Sequence, residues 1–153
     1  MTVFNSNLEV AIRLALILEA SFPRSLDLEQ LSLADHAIIH SADMGGPPSI
    51  FPASPGRVSE LTVKRPLVRN GMHLLCQAGI AAALTESRGI VFSGTEDTAP
   101  FLKLLEAPLL ERLRERAAWS VDYILSIADN EISLEFSKNL DAWRSQTAGR
   151  AFE

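Results

Sequence analysis

The residues best suited to chemistry in this chain lie between positions 35 and 76. His36 and His40 are four apart on a helical stretch, so both rings can face one side, with Asp43 a turn further on and Asp35 beside them. Such a group could gather a metal ion. A zinc-protease helix, however, needs Glu at position 37, where this chain has Ala37. No fourth ligand follows, and the histidine spacing equally suits a surface, cap or partner contact. Gly45-Gly46 raises a different possibility, a phosphate cradle. That requires successive amide donors and a nearby lysine, whereas here no lysine is close and Pro47-Pro48 remove two donors. Cys76 falls on an apolar helical stripe and reads as a small core residue. Ser41, Ser49 and Ser54 lack the G-x-S-x-G setting of a nucleophile, and Glu96-Asp97 stand where a helix start favours negative charge. The residues therefore nominate no catalytic centre, no metal site and no cofactor, and the expectation is a protein that is not an enzyme.

The cations carry more weight. Between Arg57 and Arg88 the chain has Arg57, Lys64, Arg65, Arg69 and Arg88 against Glu60 and Glu86, a local excess of three positive charges. Lys64, Arg65 and Arg69 open a helix, and helix N-terminal amides with arginines suit phosphate contact. Arg57, Lys64, Arg65 and Arg69 are thus candidate nucleic-acid-binding residues. Against this, the formal net charge is −5, and phosphate neutralisation drives most nucleic-acid affinity. Arg112, Arg114 and Arg116 interleave with Glu111 and Glu115 and read as an ordinary solvated face.

The elements that position these residues can be read from pattern. Ser6 and Glu9 have capping-box spacing and start a helix over 8–21, apolar almost all round and so central to a core or packed between subunits. Asp27 and Gln30 form a second box, with Leu26 and Leu31 at staple spacing, for a helix reaching about 42. HSADMGGPPSIFPASPGR, residues 40–57, then breaks the helical run, followed by a short extended piece over 60–63. Leu67, Val68, Gly71, Met72, Leu75 and Cys76 repeat at helical steps after Pro66, and Gly79 is placed as the stop. Segments 80–85 and 90–93 read as a hairpin, although Ala81 to Ala83 are poor strand material. Helices over 98–106, 108–128 and 130–146 complete the chain.

A helix followed by a two-stranded wing, after two earlier helices, predicts a mainly α (α+β) fold with a winged-helix-like core. Residues 1–94, including the Gly/Pro connector 43–57, form that core, and 95–153 form a helical extension packed on it as one compact domain. The length of 153 residues and hydrophobic fraction of 47% suit such a domain. The single cysteine excludes an internal disulfide and fits a reduced, cytoplasmic setting. The apolar run 10–20 contains Arg13 and Glu19 and is shorter than the ~20 residues a membrane span needs.

An ordered series of residues also resembles a known family. Phe4-Asn5-Ser6, Leu8-Glu9, Leu18-Glu19-Ala20, Phe22-Pro23 and Leu26-Asp27-Leu28 come first. Asp35, His40-Ser41, Asp43, Gly45-Gly46-Pro47, Glu60-Leu61, Val63, Leu67-Val68, Gly79, Arg116-Ala117 and Trp119 follow. Together they resemble the second type of middle component of bacterial ABC-three-component systems, over nearly the whole chain. H-S-x-D-x-G-G-P-x-S is the most specific part. Phe51-Pro52 stands where His-Pro is more usual, and His36 where an aromatic is expected, so neither supports a metal role.

The resemblance implies a small, helical, winged-helix-like protein working with an SMC or ABC-type ATPase and an effector such as a nuclease. It implies a place in anti-phage or anti-plasmid conflict systems, the group that includes Lamassu-type defence. The reading is a non-catalytic adaptor that links ATPase and effector, with possible DNA contact inside the complex and no membrane. Its candidate partner-binding residues are His40, Asp43, Gly45, Gly46, Pro47 and Ser49. A winged-helix transcriptional regulator using Lys64, Arg65 and Arg69 is the alternative.

Overall fold

The computed structural model describes residues 6–50, 64–105 and 107–127, with positions 131, 132, 134, 135 and 138 beyond them. Helix α1 spans Asn7–Ser21 and is capped by Ser6, whose Oγ accepts from the Glu9 amide at 3.2 Å. Val10, Leu14, Leu16, Ile17 and Leu18 on it are all fully buried, because other elements cover it on several sides. Strand β1, Leu26–Asp27, leads directly into α2, Leu28–Ile39. The expected capping box closes both ways. Gln30 N–H donates to Asp27 Oδ1 at 2.8 Å, and Asp27 N–H donates to Gln30 Oε1 at 2.9 Å.

Helix α2 stops at Ile39, a turn earlier than its pattern predicts. His40 leaves helical geometry (φ −118°, ψ 46°), and Ser41–Met44 tighten into a 3₁₀ turn. The expected extended piece over 60–63 lies outside the described residues. Helix α3, Lys64–Gln77, ends in a Schellman arrangement. Ile80 N–H donates to Leu75 O at 2.9 Å and Gly79 N–H to Cys76 O at 3.1 Å, with Gly79 at φ +77°. At Gly71 the α1 and α3 backbones approach closely, since an added Cβ would lie 2.8 Å from Leu14 Cδ1.

The hairpin pairs β2, Ala81–Glu86, with β3, Gly89–Gly94, in unbroken antiparallel register from Ala81↔Gly94 to Glu86↔Gly89. Beyond the expected pair, β1 adds to the far side of β3 through Leu26↔Phe92 and Asp27↔Val91, giving a three-stranded sheet in the order β1-β3-β2. Two threonines tie the base of the hairpin to the next helix. Thr98 Oγ1 donates to Ile80 O at 2.7 Å, and Thr95 Oγ1 to Gly79 O at 2.8 Å.

Helix α4, Thr98–Lys103, packs on α1, and α5, Pro108–Leu125, lies across both α1 and α2. Leu110, Leu113, Ala117, Val121 and Ile124 are its buried stripe. The fold is mainly helical with a small antiparallel sheet, as the pattern predicts. Most of the helix expected over 130–146 lies outside the described residues, although Ile132 is buried. Among the described residues, no helix is long and apolar enough to cross a membrane.

Candidate partner-binding site

The connector begins where α2 ends, and its own side chains fix its course. Ser41 is fully buried, and its Oγ donates to Pro47 O at 2.8 Å. Gly46 N–H donates to Ser41 O at 2.9 Å, and Ala42 N–H donates to Ser49 Oγ at 3.1 Å. These bonds fold residues 41–49 into a loop closed on itself. Gly45 makes the reversal with φ +75°, a left-handed conformation that glycine adopts without a Cβ penalty. The two prolines lower the entropy lost when such a loop is ordered.

Helix α5 holds this loop from below. Gly46 lies flat against the Trp119 indole, and a Cβ added there would overlap the ring. Arg116 Nη2 donates to Pro48 O at 2.9 Å. Trp119 stacks on Tyr123 with centroids 5.6 Å apart and planes within 16°, and Tyr123 O–H donates to Glu135 Oε1 at 2.7 Å. Arg116 therefore differs from the solvated arginine its neighbours suggest, since it spans 68 residues of sequence to reach the connector. Neither it nor Trp119 stands out as a site residue from local pattern. The signal for them is their place in the ordered series of family residues.

The six predicted partner-binding residues fall into different environments. Asp43 and Gly45 are exposed, while Gly46, Pro47 and Ser49 are half-buried. His40 is 3% exposed and lies beneath the loop surface. Its Nδ1 lies 4.0 Å from Asp43 Oδ2, and its ring is 5.2 Å from that of His36, which is 1% exposed. The histidines thus share one side of the helix end, as their spacing predicts, but beneath the surface. Among the described residues, no three His, Cys, Asp or Glu side chains converge as a metal cage would require. Cys76 is half-buried on α3, where burial pushes its thiol pKa up and keeps it protonated.

The candidate nucleic-acid residues are dispersed. Lys64 is 2% exposed and its Nζ donates to Asp35 Oδ2 at 2.8 Å. Arg13 meets the same carboxylate from α1, with Nε 2.7 Å from Oδ1 and Nη2 3.2 Å from Oδ2. Burial alone would raise the Asp35 pKa, but the Arg13 guanidinium and then the Lys64 ammonium hold it well below the usual carboxylate range. Lys64 therefore joins α3 to α2 in the interior and does not face a ligand outside. Arg65 lies on the surface with Nη2 2.6 Å from the Glu29 carboxylate. Arg88, in the hairpin turn, is drawn back onto Ser25 O at 2.7 Å and Gln30 Oε1 at 3.1 Å. Arg69 is exposed, and Arg57 lies outside the described residues.

The candidate site is thus a loop of small residues closed by its own serines and held against α5. That arrangement places the scattered family residues (His40, Ser41, Gly45, Gly46, Pro47, Arg116 and Trp119) in one neighbourhood. Comparison with known families matches residues 3–146 to the ABC-three component (ABC-3C) system Middle Component 2, and the chain belongs to that family. No curated protein and no solved structure matches it. Its role is accordingly that of one component of an ABC-three-component system, acting with the system's other subunits.

Proposed function

We propose that this chain is a non-catalytic adaptor of an anti-phage or anti-plasmid complex, linking an SMC or ABC-type ATPase to an effector such as a nuclease. The observation that carries this reading is the connector itself. A loop of small residues and prolines is held in one shape by Ser41, Ser49, Arg116 and Trp119, with Asp43 and Gly45 left on its outer side. A loop ordered before binding loses little entropy on binding, so it suits stable recognition by a protein partner. The residues that shape it are bonded to one another, which leaves them poorly placed for proton transfer or nucleophilic attack.

The test is capture of the complex from cells expressing the neighbouring genes. Tagged chain should co-purify with the ATPase and the effector, and Asp43→Arg should weaken that capture without changing the melting temperature. A chain that purifies alone beside both gene products would overturn the adaptor reading.

The second reading, a winged-helix DNA-binding regulator, draws support from one observation. Strand β1 closes the hairpin into a three-stranded sheet beside α3, the order such a domain uses. Its charge is less favourable, because Lys64 is internal and Arg65 and Arg88 each have a polar partner. Salt-dependent binding of duplex DNA that Arg65→Ala and Arg69→Ala together abolish would favour it.

A further inference from the structure

We propose that the free edge of β2 is a self-association surface, on which a second copy of this chain pairs its own β2 antiparallel across a two-fold axis. The inference rests on the sheet geometry and is independent of the adaptor reading. The register Glu86↔Gly89 at the two-residue turn makes these the closing hydrogen-bonded pair. Alternation then turns the amides and carbonyls of Glu86, Leu84 and Ala82 toward β3. Those of Ala81, Ala83 and Thr85 face the other way. Sheet order β1-β3-β2 puts them on the open edge, and among the described residues no backbone group bonds to them.

Isolated edges are normally protected by a bulge, a proline, a lysine or extreme shortness. The β1 edge is two residues long and runs straight into a capped helix. The β2 edge has none of these devices: six residues in unbroken register, with one charge, Glu86, at its end.

The edge is also complementary to itself. Outward groups must pair with outward groups, so a two-fold axis through Ala83 sets Ala83 opposite its own counterpart and Ala81 opposite Thr85 of the second copy. Between them Leu84, 46% exposed, meets Ala82 of the second copy. The large Leu84 opposes a small side chain and no like charges face each other, the condition for favourable cross-strand pairs. The two three-stranded sheets become one. A ladder of this length buries less than the ~1,600 Å² of a standard interface, so the pairing is a weak, reversible one.

Proline substitution separates the two sides of β2. Ala83→Pro removes an outward N–H, which an edge strand tolerates, whereas Ala82→Pro removes one that serves β3. Light scattering and sedimentation of the full chain should give twice 16.7 kDa at high concentration and the monomer mass on dilution. Ala83→Pro should stay monomeric throughout with an unchanged circular dichroism spectrum, while Ala82→Pro should lose hairpin stability. The amides of Ala81, Ala83 and Thr85 should gain exchange protection as concentration rises. A parent chain that is monomeric at every concentration, an Ala83→Pro variant that still dimerises, or edge amides protected in the monomer would each overturn the proposal.

Discussion

Lys64 Nζ lies 2.8 Å from Asp35 Oδ2, and neither side chain is more than 3% exposed. The contact joins the first residue of α3 to the middle of α2, and Arg13 completes the group from α1. Three helices therefore meet at one buried carboxylate. Removing one member of such a group leaves charge uncompensated where water cannot reach it.

Stability should follow that logic. Asp35→Asn leaves two buried cations facing a neutral amide and should cost about 3–5 kcal/mol. Lys64→Met keeps the Arg13 bonds and fills similar volume, so it should cost only about 1–3 kcal/mol. Urea denaturation followed by circular dichroism measures both. Equal losses would mean that Lys64 and Arg13 do not share Asp35 as the distances indicate.

The same carboxylate sets an acid limb. Its folded pKa is held below its unfolded value of ~3.9, so its contribution is fully present above that pH and disappears as pH falls toward the folded value. The difference in stability between the parent chain and Asp35→Asn should accordingly be constant from pH 7 to about 5 and shrink below about pH 4. Denaturation midpoints across pH test this, and a difference independent of pH would contradict it.

Connector geometry gives a third expectation. Gly46→Ala should displace the loop from Trp119, because the added methyl overlaps the indole ring. Trp119→Ala should release it by removing the support. Each should lower the melting temperature and increase amide exchange over residues 41–49, with a loss of about 2–4 kcal/mol for the tryptophan. Gly45→Ala is the internal comparison: no atom lies within 4 Å of an added Cβ, so only the left-handed backbone is strained. Its cost should be smaller, about 1 kcal/mol.

Asp27 has two tasks, and its replacement should show both. It caps α2 through the Gln30 amide and pairs with Val91 as part of β1. Asp27→Ala removes the cap but keeps the strand backbone, so it should cost about 1 kcal/mol. Asp27→Pro also removes the N–H given to Gln30 and should cost more. Urea denaturation measures both losses, and exchange protection at residues 91 and 92 should persist in each variant, because the N–H that proline removes serves Gln30 and not β3.

Much of the fold is legible in local spacing. Ser6 with Glu9, Asp27 with Gln30, and Gly79 after the 67–76 repeat each specify a boundary through residues fewer than five positions away. Hydrogen bonds that local can be read as spacing, and all three occur. Strand β1 could not be read that way. Two residues are too few for alternation, and the strand exists only because the hairpin arrives beside it. The described part of the candidate site divides along the same line. Gly45 and the serines of the connector announce a shaped loop, whereas Arg116 and Trp119 lie about 70 residues further along the chain and carry no local mark.

By itself, then, the sequence determined where most helices lie, the caps of α1 and α2, the presence of the hairpin and the family to which the chain belongs. Short-range hydrogen bonds and hydrophobic periodicity set those, and both are written in neighbouring residues. Tertiary structure alone decided which charges face outward. Lys64 and Arg65 are adjacent in a basic run, yet Lys64 is sealed against Asp35 and Arg65 stands on the surface beside Glu29. Adjacent helical residues point about 100° apart, so the packing of α1 and α2 around α3, and not the charge of the run, selects which cation is buried.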